Sequence, residues 1–408
     1  MIARLSDLRL LWWLRQRPAG HARLLWRDLR GSSEHRHGAR LCMEAAIDWL
    51  CLAQDQTGGG GVAGFYDLLK GWSPPYPETT GYIVPTFLNA ARCLGRPDLR
   101  DRARQMLNWL LTTQMQSGAF PAGLPLDGQP REPRIFNTGQ IIQGLVAGYR
   151  EFGVARYLDA AITAGEWLRQ VQDSDGAWRT ASYHGLPHAY HSRVDWPLIE
   201  LGRQAERPDF VEAAQRNLDW VLAQRRPDGW FDQMEMTPGQ PPVLHPIEYT
   251  LGGVWESGEL LDDETCRSAV FPAVERLAEH AIEGRLAGAY GPGFEPVGKS
   301  ICLTGYAQMA LLWLRIHQRT GLPRLRTAAE RALLVLERLA DLDNPEPALR
   351  GGVRGSYPLT GDYMPLSVVN WGAKFFIDAL LLEQSCAMPG AGHEEHQAGS
   401  CVPEPVMV

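Results

Sequence analysis

The sequence predicts an all-α fold, an (α/α)6 barrel of six helical hairpins closed into a toroid, and three features of the chain predict it. A Gly-rich turn with an aromatic residue recurs six times at intervals of roughly fifty to sixty residues. Two amphipathic helical patterns lie between successive marks, and the links joining the patterns alternate between short and long.

The hairpins follow in order. An outer pattern at 41–53 leads through the first mark, Gln56 to Phe65, into an inner pattern at 79–94. The second pairs 99–113 with 138–152 around Gln116-Ser-Gly-Ala-Phe120, and the third pairs 157–171 with 191–201 around Gln172 to Trp178. The fourth pairs 210–223 with 247–260 around Gln224 to Trp230. The fifth pairs 265–282 with 303–320 around Gly288-Ala-Tyr290, and the sixth pairs 324–339 with 369–383 around Gly355-Ser-Tyr357. Outer patterns carry Arg, Glu and Asp on one face, whereas inner patterns are rich in Ala, Gly, Leu and Ile, as helices covered on most sides must be. Short links such as Gly95-Arg-Pro-Asp98 stop one helix with Gly and start the next with Pro or Asp. The long links gather on one rim, where binding and chemistry are expected.

The barrel is expected over residues 38–384, with 1–37 as a basic amphipathic extension and 385–408 as a disordered tail. The run Leu8 to Leu14, holding Trp12 and Trp13 between Arg9 and Arg15, suits either packing on the barrel or peripheral contact with an anionic membrane. No apolar stretch is long enough to span a bilayer. The seven cysteines are scattered without CxxC pairing, which points to reduced thiols and a cytoplasmic protein, peripheral to the inner membrane if the extension binds it. A net charge of −7 argues against nucleic acid. Neither a P-loop, a Rossmann glycine pattern nor zinc-ligand spacing occurs, so no cofactor and no metal is expected.

The inner helices begin with polar residues where buried helices should be apolar: Glu78 to Tyr82, Asn137-Thr-Gly-Gln140, His188 to Asp195, His245-Pro-Ile-Glu248 with Tyr249, Thr304 to Gln308, and Asn370-Trp-Gly-Ala-Lys374. Capping explains one such residue per helix and leaves the Tyr, Gln, Glu and His that follow as candidates for a site. His245 and Glu248 are the expected acid/base unit, completed by His191, Glu78 and Tyr249. Tyr82, Asn137, Gln140, His188, Arg193, Asp195, Gln308, Arg354, Asn370, Trp371, Lys374 and Trp72 are the expected ligand-holding set. Arg193, Arg354 and Lys374 would neutralise a carboxylate, and Trp72 and Trp371 would stack on sugar rings.

The helix order resembles the six-hairpin glycosidase, lyase and sugar-epimerase folds and the related terpenoid-cyclase toroids. The motifs Tyr76-Pro-Glu-Thr-Thr-Gly-Tyr82, Cys302-Leu-Thr-Gly-Tyr-Ala-Gln308 and Asn370-Trp-Gly-Ala-Lys-Phe-Phe376 look like those of toroid proteins found with bacterial exopolysaccharide genes. His245-Pro-Ile-Glu248 is similar to the H-x-I-E signature of the N-acylglucosamine 2-epimerase family, which implies that His245 abstracts or returns a proton. That family's second essential His, on the last inner helix, is replaced by the Asn370 to Lys374 run. Together these imply a carbohydrate-active enzyme of epimerase, lyase or glycosidase type. Its expected substrate is an acidic or amino-sugar oligosaccharide or polysaccharide, and its expected setting is bacterial polysaccharide synthesis. A terpenoid-cyclase-like enzyme or a catalytically inactive glycan-binding toroid are the alternatives.

Overall fold

The computed structural model describes residues 19–30, 37–123 and 131–387. A short helix, α1 (Ala19–Arg30), precedes six hairpins of one outer and one inner helix. These are α2 (Ala39–Asp55) with α3 (Pro77–Leu94), α4 (Pro97–Thr113) with α5 (Ile135–Phe152), and α6 (Ala155–Gln170) with α7 (Ser192–Gln204). The ring continues with α8 (Pro208–Ala223) and α9 (Leu244–Leu261), α10 (Glu264–Ile282) and α11 (Leu303–Thr320), and α12 (Pro323–Leu339) and α13 (Asn370–Ala387). Each inner helix packs on the next, and α13 returns to α3, which closes the (α/α)6 barrel. The seam is sewn by two short strands: β1 (Phe65–Asp67), from the first long loop, pairs antiparallel with Ser367–Val369, at the end of the last.

The recurrent turns hold neighbouring hairpins together. Gln172 donates from Nε2 to its own turn at Gly176 O (2.9 Å) and to the next outer helix at Ala213 O (2.8 Å). Gln114 does the same to Gly118 O and Ala160 O, so the stitching residue lies two positions before the Gln116 that marked the repeat. The turn aromatics Phe120, Trp178, Trp230 and Tyr290 are buried wedges rather than ligand platforms. Gly176 has φ +88°, and a Cβ there would lie 2.2 Å from Arg216 O. Gly176→Ala is therefore expected to cost about 2 kcal/mol or more in urea unfolding. Gly185→Ala, at φ +66° with open space around it, should cost about 1 kcal/mol.

Inner helices α3, α5 and α9 start two or three residues earlier than the sequence pattern does, so Glu78, Asn137 and His245 lie within the first turn instead of capping it. Thr80 and Thr138 accept from the backbone N–H of Val62 and Phe120, tying each helix start to the turn before it.

The α1 helix lies against the barrel. Leu24 and Leu25 are buried, Arg27 pairs with Asp341, and Asp28 pairs with Arg354 at 2.7 Å. Residues 1–18, including the Trp12-Trp13 run, lie outside the described residues; of the expected 385–408 tail, residues 385–387 are the last of α13 and the rest lies outside them too. Among the described residues, no helix is long and apolar enough to cross a membrane.

Candidate active site

The ring order puts α3 and α9, the first and fourth inner helices, opposite one another across the barrel axis. Their first turns carry Glu78 and His245, and both side chains line one cavity of about 280 Å³ at the long-loop rim. One turn deeper, Tyr82 and Tyr249 come close enough across the axis for each hydroxyl to influence the other's ionisation, forming a floor. The long loops build the walls: Phe65 and Tyr76 from the first, Tyr183 and Tyr190 from the third, Met236 from the fourth, Tyr363 and Met364 from the sixth. Phe136 of α5 and Trp371 of α13 complete them, with Trp371 Nε1 donating to Tyr363 Oη (2.9 Å).

Two groups that handle protons therefore share a space of aromatic rings. Burial pushes the Glu78 carboxyl up to about 7, against the opposing pull of the hydroxyl that Tyr76 donates at 2.8 Å and of the Arg193 charge. A carboxylic acid in that range holds its proton through mildly acidic conditions. Burial pushes His245 down to about 3, so its imidazole is neutral at neutral pH. Its Nδ1 lies 2.7 Å from Gln308 Oε1, and Gln308 Nε2 donates to Glu248 Oε2 at 2.7 Å. His245 and Glu248 are thus linked through Gln308 and not by direct contact. Glu248 faces a second, deeper cavity of about 10 Å³ shared with Arg193, Glu256, Arg315 and Lys374.

Several expected site residues make their contacts within the scaffold. The Arg193 guanidinium stacks on Trp196 (4.6 Å), Tyr249 (4.8 Å) and Phe375 (5.1 Å), beneath the tyrosine floor. Lys374 pairs with Asp378 at 2.7 Å over the Phe375 ring. Gln140 donates to Arg193 O (3.0 Å), a carbonyl left without its helical partner because Pro197, four residues on, has no N–H. Asn137 and Asn370 donate to Pro121 O and Ala63 O, fastening the preceding turns. Asp195 is fully buried away from the cavity with neither oxygen hydrogen-bonded, and desolvation raises its carboxyl well above the usual range.

The histidine cluster separates in the same way. His188 stacks behind Tyr190 (4.6 Å) and bonds to Tyr183 O. His191 is enclosed by Trp178, Tyr190 and His188, so it does not line the cavity that it was expected to serve. Burial lowers both below the ordinary histidine value, so both stay neutral. Trp72 packs on Trp49 and Tyr66, outside the cavity.

Arg354, expected to meet a ligand carboxylate, bonds to Asp28 and to Leu339 O, and Asp28 also accepts from Leu359 N–H. Removing one partner of such a buried pair strands the other charge. Arg354→Ala is expected to cost about 3 kcal/mol and to release α1, read as faster amide exchange across 19–30.

Tyr76 and Tyr183 are cavity residues that periodicity did not single out. The available signal was the Tyr-Pro-Glu order, which holds the Tyr76 hydroxyl beside Glu78 at the helix start.

Neither family profiles nor curated protein sequences match the chain. Solved structures do. The chain is similar to an unsaturated glucuronyl hydrolase specific for heparin, with TM-score 0.65 and 15% identity over 85% of this chain and 97% of that one. It is similar to the unsaturated glucuronyl hydrolase of Bacillus sp. GL1, responsible for degradation of glycosaminoglycan, with TM-score 0.65 and 14% identity over 84% and 96%. The cellobiose 2-epimerase of Bacillus thermoamylovorans B4167 aligns with TM-score 0.64 and 14% identity over 88% and 98%. All are carbohydrate-active enzymes, and at these identities the likeness is one of fold.

Proposed function

We propose that this chain is a carbohydrate-active enzyme that transfers a proton at a sugar carbon, an epimerase-type reaction on an uncharged or N-acylated amino sugar, free or at the reducing end of an oligosaccharide. The observation that carries the reading is that Glu78 and His245 line one aromatic cavity from opposite inner helices. An epimerisation takes a proton from one face of a carbon and returns one to the other, which is what two such groups across a ring serve.

His245, held neutral by burial, takes the proton at Nε2 as the C–H bond breaks. The electron pair passes to the neighbouring carbonyl of the open-chain sugar, giving an enolate, and the tyrosine hydroxyls of the floor are suited to hold its oxygen. Glu78, protonated and held by Tyr76, delivers a proton from the opposite side, so no atom is gained or lost. Glu78 takes the part that a second histidine has in the epimerases the sequence resembles.

The cavity chemistry narrows the substrate. Glu78 is the one carboxylate among the described residues lining it, whereas glycoside hydrolysis by a carboxylate pair needs two. Among the same residues no Arg or Lys lines it, which favours neutral or N-acylated sugars over uronates. The exopolysaccharide resemblance supports a setting in bacterial polysaccharide synthesis, and the converging acid and base favour catalysis over glycan binding alone. The aromatic walls also suit a terpenoid cyclase, with Glu78 as the acid, and that is the second reading.

Incubation in D2O with N-acetylglucosamine, N-acetylmannosamine, cellobiose and longer neutral oligosaccharides tests the proposal. Deuterium entering the carbon beside the anomeric centre, with an epimer formed, is the expected result. Exchange with none of these sugars, together with thermal stabilisation by prenyl diphosphates alone, would overturn it in favour of the cyclase.

A further inference from the structure

Gln308, on α11, is fully buried and joins two side chains of α9 by the two ends of one amide. An ionised carboxylate only accepts hydrogen bonds, so Glu248 draws the amide NH2 of Gln308 toward itself. The amide oxygen then faces His245, and it too only accepts. The His245 Nδ1, at 2.7 Å, must carry the hydrogen. Nε2 is left as the nitrogen with a lone pair, on a side chain that lines the cavity.

We propose that Gln308 is a positioning residue that, oriented by Glu248, fixes His245 in its Nδ1–H tautomer and so makes Nε2 the base. The assignment rests on the reading of His245 as the proton acceptor, and it also makes the chain reversible. A protonated Glu248 donates to the oxygen of a turned amide, the NH2 donates to Nδ1, and the His245 hydrogen moves to Nε2. Glu248 thereby selects whether the cavity meets a lone pair or a hydrogen-bond donor at Nε2.

The charges facing Glu248 come from three other inner helices at that depth: Arg193 of α7, Arg315 of α11 and Lys374 of α13, with Glu256 on its own helix. Arg315 is paired with Glu256 and Lys374 with Asp378, and Arg193 is the foremost of the three cations favouring the ionised form. Burial opposes it and raises Glu248 to about 7, so both forms lie within reach near neutrality.

The test is long-range 1H–15N NMR of the full chain with labelled histidine, the His245 signal being assigned by its absence in His245→Ala. Above neutrality, wild type is expected to show the Nδ1–H pattern and to move toward Nε2–H as pH falls through neutrality. Gln308→Leu should lose the Nδ1–H pattern and lower kcat about 100-fold with KM little changed. Gln308→Glu, an acceptor in the same place, should restore the pattern even if Gln308→Leu folds poorly. An Nε2–H pattern in wild type above neutrality, or an Nδ1–H pattern retained in a folded Gln308→Leu, would overturn the proposal. The expected NMR patterns with no turnover of any sugar would support the positioning role and remove the carbohydrate reading instead.

Discussion

His245→Ala is expected to lower turnover about a thousandfold while leaving the barrel folded, because a positioned general base contributes roughly 10²- to 10⁴-fold. The side chain lies in the first turn of α9 and makes one hydrogen bond, so its loss strands the Gln308 oxygen at a cost of about 1–3 kcal/mol. That is a small part of what holds a ring of twelve packed helices. Exogenous imidazole, small enough for the vacated space, should recover part of the rate. Retention of more than a tenth of wild-type turnover would remove His245 from the chemistry, and a collapse of the near-ultraviolet circular dichroism would recast it as a core residue.

Glu78→Gln carries the second large effect. The amide matches the carboxyl in shape and can still accept from the Tyr76 hydroxyl, yet it has no proton to deliver. Turnover should fall about a hundredfold or more. Wild-type activity should decline as pH rises through about 7, where Glu78 loses its proton, and the variant should lack that limb. Stability gives an independent reading.

The carboxyl is raised from the ordinary 4.5 to about 7, so the folded chain binds this proton more tightly than the unfolded chain. The resulting stabilisation is fully present below about 4.5 and is lost as pH climbs through about 7. Its size is on the order of 3 kcal/mol. Glu78→Gln, neutral at every pH, should therefore gain on wild type in melting temperature between mildly acidic and mildly alkaline buffer. A difference that does not vary with pH would mean that Glu78 is not a buried, protonated acid.

The fold could be read because its signals are local. Amphipathic period, Gly stops and Pro starts recur along the chain, and each is decided within a few residues. The rim carrying the site followed from link length, and the polar helix mouths followed from composition. Depth along the helix could not be read in that way. On α9, His245 and Tyr249 line the cavity while Glu248 turns toward the ionic layer below. Arg354 looked like an anion holder, and its partner Asp28 lies 326 residues away on a helix outside the ring. Gln140 looked like a ligand residue until Pro197 removed the N–H that its neighbour's carbonyl needed. In each case the deciding partner is distant along the chain and is brought near only by the packing of helices.

The seam between β1 and the segment before α13 also bears on how the chain is made. It joins groups as far apart as Asn370 and Ala63, 307 residues, and α3 has no inner neighbour on that side until α13 arrives. A growing chain can stack its hairpins one by one as they emerge, but the arc stays open until the last helix is free. Through that interval the apolar flanks of the first and last hairpins are uncovered, a surface suited to chaperones and to wrong partners. Losing α13 would leave not a smaller barrel but an unclosed one.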